Sequence, residues 1–272
     1  MSLVSTDWLD NNHSEVKIID SSWHMPNTNR NAYEEYKKEH IKNAIFFDID
    51  KFSNKKTELP HMLPNEEEWE KIVSNLGITN EDRIIVYDNS DVISSCRCWY
   101  TFIFFGHNPN LISVLNGGLL KWKKENRETT NKVSNYEKKN YKAIKISHLV
   151  KSKEEIDKNI LEKKFQVVDA RSKSRFLGLE KEPRQDVKSG SIQNSYCLPF
   201  GELINPKDKT FIEKNLIKEK FTNIGINNEK NVVFSCGSGI TAAVLGLAYS
   251  IINDKYLPAI YDGSWAEYGK IK

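Results

Sequence analysis

The sequence predicts an α/β chain of two tandem domains, each a mainly parallel sheet with helices on both faces. Three observations predict it. At 272 residues the chain is too long for one ordinary domain of about 150 residues. Short runs rich in Val and Ile alternate with helical stretches, as in a sheet covered on both sides. The segments that carry those runs also occur twice, in one order and at nearly one spacing.

The first pair is VKIIDSSW, ending near Asp20, and FQVVDARS, ending near Asp169. The second is RIIVYDNS, reaching Asp88, and NVVFSCGS, reaching Cys236. The third is SVLNGGLLKW around Asn116 and AIYDGSWAEY around Asp262. The members lie 149, 148 and 146 positions apart, which reads as a duplicated unit of somewhat over 120 residues. Helices are predicted over 66–76 (EEEWEKIVSNL), stopping before Gly77, and over 241–252. A polar stretch over 126–142 lacks apolar periodicity and reads as a connection. The predicted organisation is a first domain over 1–130, a linker over 131–142 and a second domain over 143–272.

Composition narrows the function classes. A hydrophobic share of 39% with 11% aromatics supports a real core. A net charge of only +3, with both signs interspersed, argues against a dedicated nucleic-acid surface. No apolar run approaches the ~18 residues of a membrane helix. The start, MSLVSTDWLDNN, has neither a basic nor an apolar targeting region, and four cysteines are too few for a disulfide framework. The expectation is a cytoplasmic protein with reduced thiols.

One stretch carries chemistry. In VVFSCGSGITAAVLGLAYSI an apolar strand ends at Cys236, and Gly237, Ser238, Gly239, Ile240 and Thr241 lead into a helix. Ligands in open α/β sheets bind beyond the carboxyl ends of strands. Glycines let backbone N–H groups turn inward, and amides converging at a helix start bind anions and favour a thiolate. A cysteine after an apolar strand is ordinarily a small buried hydrophobe. The flanking glycines predict instead an unshielded, activated sulfur nucleophile. In the first half Asp88 takes the place of Cys236, in a loop (DNSDVISSC) without close glycines. A thiol phosphatase would need an arginine six positions after the cysteine, to hold phosphate bidentately. Position 242 is Ala242. Cys96, Cys98 and Cys197 have no such loop and read as structural, and the pair in CRC is a weak metal signal.

These segments resemble the 3-mercaptopyruvate sulfurtransferases of the rhodanese superfamily. VVDARSKSRFLGLEKEPR, CGSGITAAV and YDGSWAEY match the catalytic domain. IDSSWHMP, AIFFDID, HMLP, IIVYD and VLNGGLLKW match the non-catalytic one. The resemblance implies two rhodanese-like domains and a cysteine that carries sulfur as a persulfide. Gly237 and Ser238 stand where thiosulfate-using relatives carry cations, which implies 3-mercaptopyruvate as donor, with thiosulfate as the alternative. It implies that Arg175 and Arg184 bind the donor's carboxylate and keto oxygen. The cysteine loop, Gly237 and Gly239 to Thr241, would complete the binding site. Ser238 would work with His61 and Asp50 in moving a proton, in a cleft between the domains. Cyanide, a small thiol or a thioredoxin-like protein would accept the sulfur, and no metal or organic cofactor is implied. A persulfide carrier with little turnover is the rival reading, since it needs Cys236 but not the arginines. GSIQN at 190–194 departs from the family's G-H-I-P-G, which puts turn geometry in question, as does EHIKNA in the first half.

Overall fold

The Val- and Ile-rich runs form strands in a computed structural model that describes residues 2–226, 231–253 and 256–271. The chain divides into two units that are not simple halves. Unit 1 comprises Met1–Asn54, Leu63–Ile146 and Pro206–Phe211, and unit 2 comprises Lys55–Met62, Ser147–Asn205 and Ile212–Lys272. Each unit therefore contains a short segment from the other's part of the sequence.

In unit 1 the strands are β1 (Leu3–Val4), β2 (Lys17–Asp20), β3 (His40–Ile41), β4 (Ala44–Phe46), β5 (Ile84–Tyr87), β6 (Ile112–Leu115) and β7 (Thr129–Thr130). Five of them form a parallel sheet in the order β1-β6-β5-β2-β4, and β3 pairs with β7 antiparallel. Unit 2 has β8 (Val150–Lys151), β9 (Phe165–Asp169), β10 (Tyr196–Cys197), β11 (Asn231–Ser235) and β12 (Ala259–Tyr261), all parallel in the order β10-β9-β11-β12-β8. Reading the first sheet from β4 and the second from β10 gives the same sequence of positions, so the duplication seen in the residues is a duplication of topology.

The central strands are apolar on both sides because helices cover both faces. All four residues of β5 are buried, as are the last four of β11. In unit 1 the helix Ser95–Phe104 is buried along its whole length. Trp69 stacks on Phe105 and meets Phe102 edge-on, both at 5.0 Å between centroids. The helix Glu66–Asn75 starts at a capping box made by Asn65 and Glu68, and Gly77 follows it at φ 72°. The helix Ile240–Ile252 begins one residue before its predicted start.

The polar stretch after β7 has no strand or helix up to residue 146, yet it is anchored along unit 1. The Tyr136 hydroxyl donates to the Asn43 carbonyl, the Tyr141 amide donates to Ser74 Oγ and the Ile144 amide to the Phe105 carbonyl. The two loops that depart from the family pattern keep a left-handed turn. Asn43 sits at φ 61° and Asn194 at φ 63°. Asparagine tolerates that region better than other residues with a Cβ, so each stands in for the expected glycine. Among the described residues no helix is long and apolar enough to cross a membrane.

Candidate active site

Register places the reactive position. In unit 2 Ser235 of β11 is level with Asp169 of β9, and in unit 1 Tyr87 of β5 is level with Asp20 of β2. The next residues, Cys236 and Asp88, therefore step off equivalent strand ends, where α/β sheets bind ligands.

The cysteine loop hangs from the turn after β12. The Cys236 amide donates to Ser264 Oγ at 3.2 Å, and that hydroxyl donates to the Tyr261 carbonyl. The carbonyls of Cys236 and Gly237 accept from the amides of Trp265 and Ala266, each at 2.9 Å. Ser264 holds this position in the left-handed region, at φ 47°, and is fully buried. Gly239, at φ 84°, turns the chain into the helix, and its N–H lies 3.1 Å from Cys236 Sγ. This is the inward amide that the glycine pattern predicts. The expectation of an unshielded thiol is corrected: Cys236 is only 2% exposed. The Gly239 amide lies against the sulfur, and the turn at Ser264 fastens the backbone on either side of it.

Ser238 and His61 meet directly, with 2.8 Å between Oγ and Nδ1. His61 belongs to the segment Lys55–Met62 of unit 2. Its backbone is left-handed at φ 58°, and it is nearly buried. Which of the two donates follows the imidazole tautomer. Asp50 lies in unit 1, on the short helix Ile49–Phe52, and its carboxylate accepts from Trp23 Nε1 at 2.9 Å.

Arg175 sits on the short helix Lys173–Phe176, capped by Ser172. Its guanidinium lies against the cysteine loop: a Cβ added at Gly237 would stand 3.3 Å from Arg175 Nη2. Glycine at 237 therefore gives the arginine its place. Arg184 is exposed, with no ion-pair partner among the described residues. Ile240 is buried and Thr241 half-buried at the start of the helix. Cys236, Ser238, His61, Gly237 and Arg175 are thus brought together within unit 2.

Sequence reasoning missed the support beneath them. Arg171 donates to both oxygens of Asp169 and, through Nη1, to Glu182. Glu182 in turn accepts from Arg175. Arg171 also stacks on the Trp265 ring at 4.6 Å. Burial works against the Arg171 charge, but the two carboxylates outweigh it and hold its pKa above the ordinary value. The signal was a strand ending in aspartate with arginine two residues on, in VVDAR, and a glutamate two residues before Arg184.

In unit 1 the matching position is filled from within. The Asp88 carboxylate accepts from the amides of Ser90 at 2.8 Å and Ser95 at 2.9 Å. Burial pushes its pKa up, and those amides oppose the rise. A cavity of about 200 Å³ lies beside it, lined among others by Arg30, Gly117, Lys209 and Phe211. Cys96 and Cys98 are buried and their thiols are pushed up by burial. Cys197 is half-buried, and burial pushes its thiol up to about 11. Among the described residues no group of three or more His, Cys, Asp or Glu is arranged to hold a metal.

Comparison with known proteins is consistent with this geometry. The family described as Rhodanese-like domain matches twice, over residues 5–125 and 152–270. The thiosulfate/3-mercaptopyruvate sulfurtransferase 1 of Arabidopsis thaliana, a mitochondrial protein, is 36% identical over 289 residues, covering 98% of this chain and 75% of its own. The 3-mercaptopyruvate sulfurtransferase of Mus musculus is 34% identical over 277 residues, covering 98% and 91%. The crystal structure of SseA from Escherichia coli, presented with the rhodanese fold and catalytic mechanism of 3-mercaptopyruvate sulfotransferases, superposes with a TM-score of 0.87 at 29% identity, covering 97% and 99%.

Proposed function

Because the chain belongs to the rhodanese family, among the thiosulfate and 3-mercaptopyruvate sulfurtransferases, we propose that it moves sulfur from 3-mercaptopyruvate to a nucleophilic acceptor through a persulfide on Cys236. The observation that carries this reading is the gathering, around the one loop that bears Cys236, of the Gly239 amide against the sulfur, the Ser238–His61 pair, and the Arg175 guanidinium beside Gly237.

The chemistry runs in two steps. The Cys236 thiolate attacks the donor sulfur, the donor's C–S bond breaks, and its electron pair leaves as the enolate of pyruvate. The proton of the donor thiol passes through Ser238 and His61 to the enolate carbon, leaving pyruvate and Cys236 persulfide. An acceptor nucleophile then attacks the outer sulfur and the Cys236 thiolate is released. Arg175 suits the donor's carboxylate because a guanidinium fork matches a planar anion, and exposed Arg184 is the second cation for the keto acid. The role of Asp50 rests on the resemblance alone, and an Asp50→Asn variant with unchanged turnover would remove it.

Cyanide, a small thiol and a thioredoxin-like dithiol are the acceptors this mechanism admits. A cytoplasmic location is part of the reading, supported by four unpaired cysteines; cell fractionation checks it. The deciding experiment treats the protein with 3-mercaptopyruvate and follows both mass and pyruvate. One added sulfur on Cys236 with steady pyruvate release in the presence of cyanide supports the reading. Release that stops after about one equivalent points to a carrier. A loop without cations also predicts faster turnover with 3-mercaptopyruvate than with thiosulfate, and the reverse ranking would move the protein to the thiosulfate class.

A further inference from the structure

Arg175 has more to do than carry a charge. A guanidinium has two edges that can hold a carboxylate in a bidentate grip: the side edge, Nε with Nη2, and the end edge, Nη1 with Nη2. In this protein the side edge is taken. Arg175 donates from Nε at 3.2 Å and from Nη2 to the two oxygens of Glu182. The Glu182 side chain is only 4% exposed, whereas that of Arg175 is 21% exposed. The end edge is therefore the one left for a ligand.

Glu182 is itself held. Arg171 Nη1 donates to its Oε1 at 2.7 Å, and Arg171 is gripped from behind by Asp169, with both of those side chains almost wholly buried. The charges alternate along this chain, from Asp169 through Arg171 and Glu182 to Arg175. Arg171 also lies over the ring of Trp265, whose amide holds the Cys236 carbonyl. One frame thus carries both the nucleophile and the cation beside it.

We propose that Glu182 is a positioning residue for the sulfur donor: by occupying the side edge of Arg175, and so holding Nη2 where it lies beside Gly237, it fixes the end edge on which a donor carboxylate docks. This rests on the reading that Arg175 binds that carboxylate. A carboxylate so bound extends the alternation of charges by one member. Without Glu182, Arg175 becomes a mobile exposed cation, and mobile cations hold anions weakly.

A double-mutant cycle in the full chain tests it, using Arg175→Ala, Glu182→Gln and both together, with cyanide as acceptor. Expected are a rise of about tenfold or more in KM for 3-mercaptopyruvate in Arg175→Ala, and a rise of about three- to tenfold in Glu182→Gln with kcat within about twofold. The double variant should be no worse than Arg175→Ala alone. If Arg175→Ala raises KM but Glu182→Gln does not, or if the two effects multiply, the inference fails while the reading beneath it stands. If Arg175→Ala leaves KM unchanged, both fall. Glu182→Gln could also unfold the buried chain of charges, so the unaltered protein supplies a second measurement. The Arg175 Nε–H, assigned in NMR spectra by its loss in Arg175→Lys, should exchange slowly with solvent. Fast exchange overturns the proposal.

Discussion

The loops after β5 and β11 leave the same place in two copies of one sheet, and they fill it differently. In unit 1 the loop residue is Asp88, whose carboxylate takes the amides of Ser90 and Ser95 for itself. In unit 2 it is Cys236, whose sulfur receives the amide of Gly239 and leaves a hydroxyl, an imidazole and a guanidinium close by. The difference teaches that the strand end supplies only a position. Chemistry requires a nucleophile at that position and a loop that does not neutralise it.

The comparison is broken most severely at the sulfur. Cys236→Ser should lower turnover by more than about 10³-fold, whereas Asp88→Asn should leave it within about twofold. The sharper form is Asp88→Cys in the Cys236→Ser background. It should stay inactive and take up no sulfur by mass spectrometry, and a persulfide at position 88 would show that the strand end alone suffices.

Ser238 comes next. If its hydroxyl moves the donor proton together with His61, Ser238→Ala should cost about 10²-fold in kcat with little change in KM. Loss confined to KM would make it a binding group instead. Gly239→Ala is expected to be milder. Alanine at φ 84° costs roughly 1–2 kcal/mol, so the amide would swing from the sulfur, and both melting temperature and persulfide formation should drop, the latter by about tenfold. A variant that melts lower yet reacts normally would show that the Gly239 amide does not act on the thiol.

The smallest effect compares the neighbouring strands. Asp169 has Arg171 two residues on, while Asp20 has the neutral Ser22, which donates both its amide and its hydroxyl, together with the Tyr87 hydroxyl. Burial pushes the Asp20 carboxyl up to about 6, against those hydrogen bonds. A carboxyl raised on folding stabilises the folded state most below its ordinary pKa of about 4, and that gain is lost as pH rises through about 6. Asp20→Asn removes the dependence. Relative to the parent it should therefore gain stability between pH 4 and pH 7, at no more than about 1.4 kcal/mol per pH unit. A melting-temperature difference constant over that range would contradict this.

Much of this was legible in the residues. Val- and Ile-rich runs at a repeated spacing announce buried parallel strands because nothing polar interrupts them, and a cysteine between such a strand and a glycine-rich helix start announces an amide-lined turn. What could not be read was how tightly that turn closes on Cys236, since burial depends on the distant Gly263–Trp265 segment. The chain from Asp169 to Glu182 was equally hidden. VVDAR marks its first two members, but nothing local says that Glu182, from a polar stretch beyond, folds back onto Arg171, or that Arg171 lies over Trp265. Nor does any local pattern say that the segment bearing His61 should fold with residues far beyond it.

That last point bears on how the chain is made. Residues 55–62 leave the ribosome before any strand of unit 2 exists, and residues 206–211, which carry Lys209 and Phe211, follow the rest of unit 1 by about 60 positions. Neither unit can be finished in the order of synthesis. Cutting the gene at the apparent boundary near residue 146 would leave one fragment short of a wall of its cavity and the other short of its histidine. The units of this protein are thus not two consecutive pieces of chain, although its sequence reads as one domain written twice.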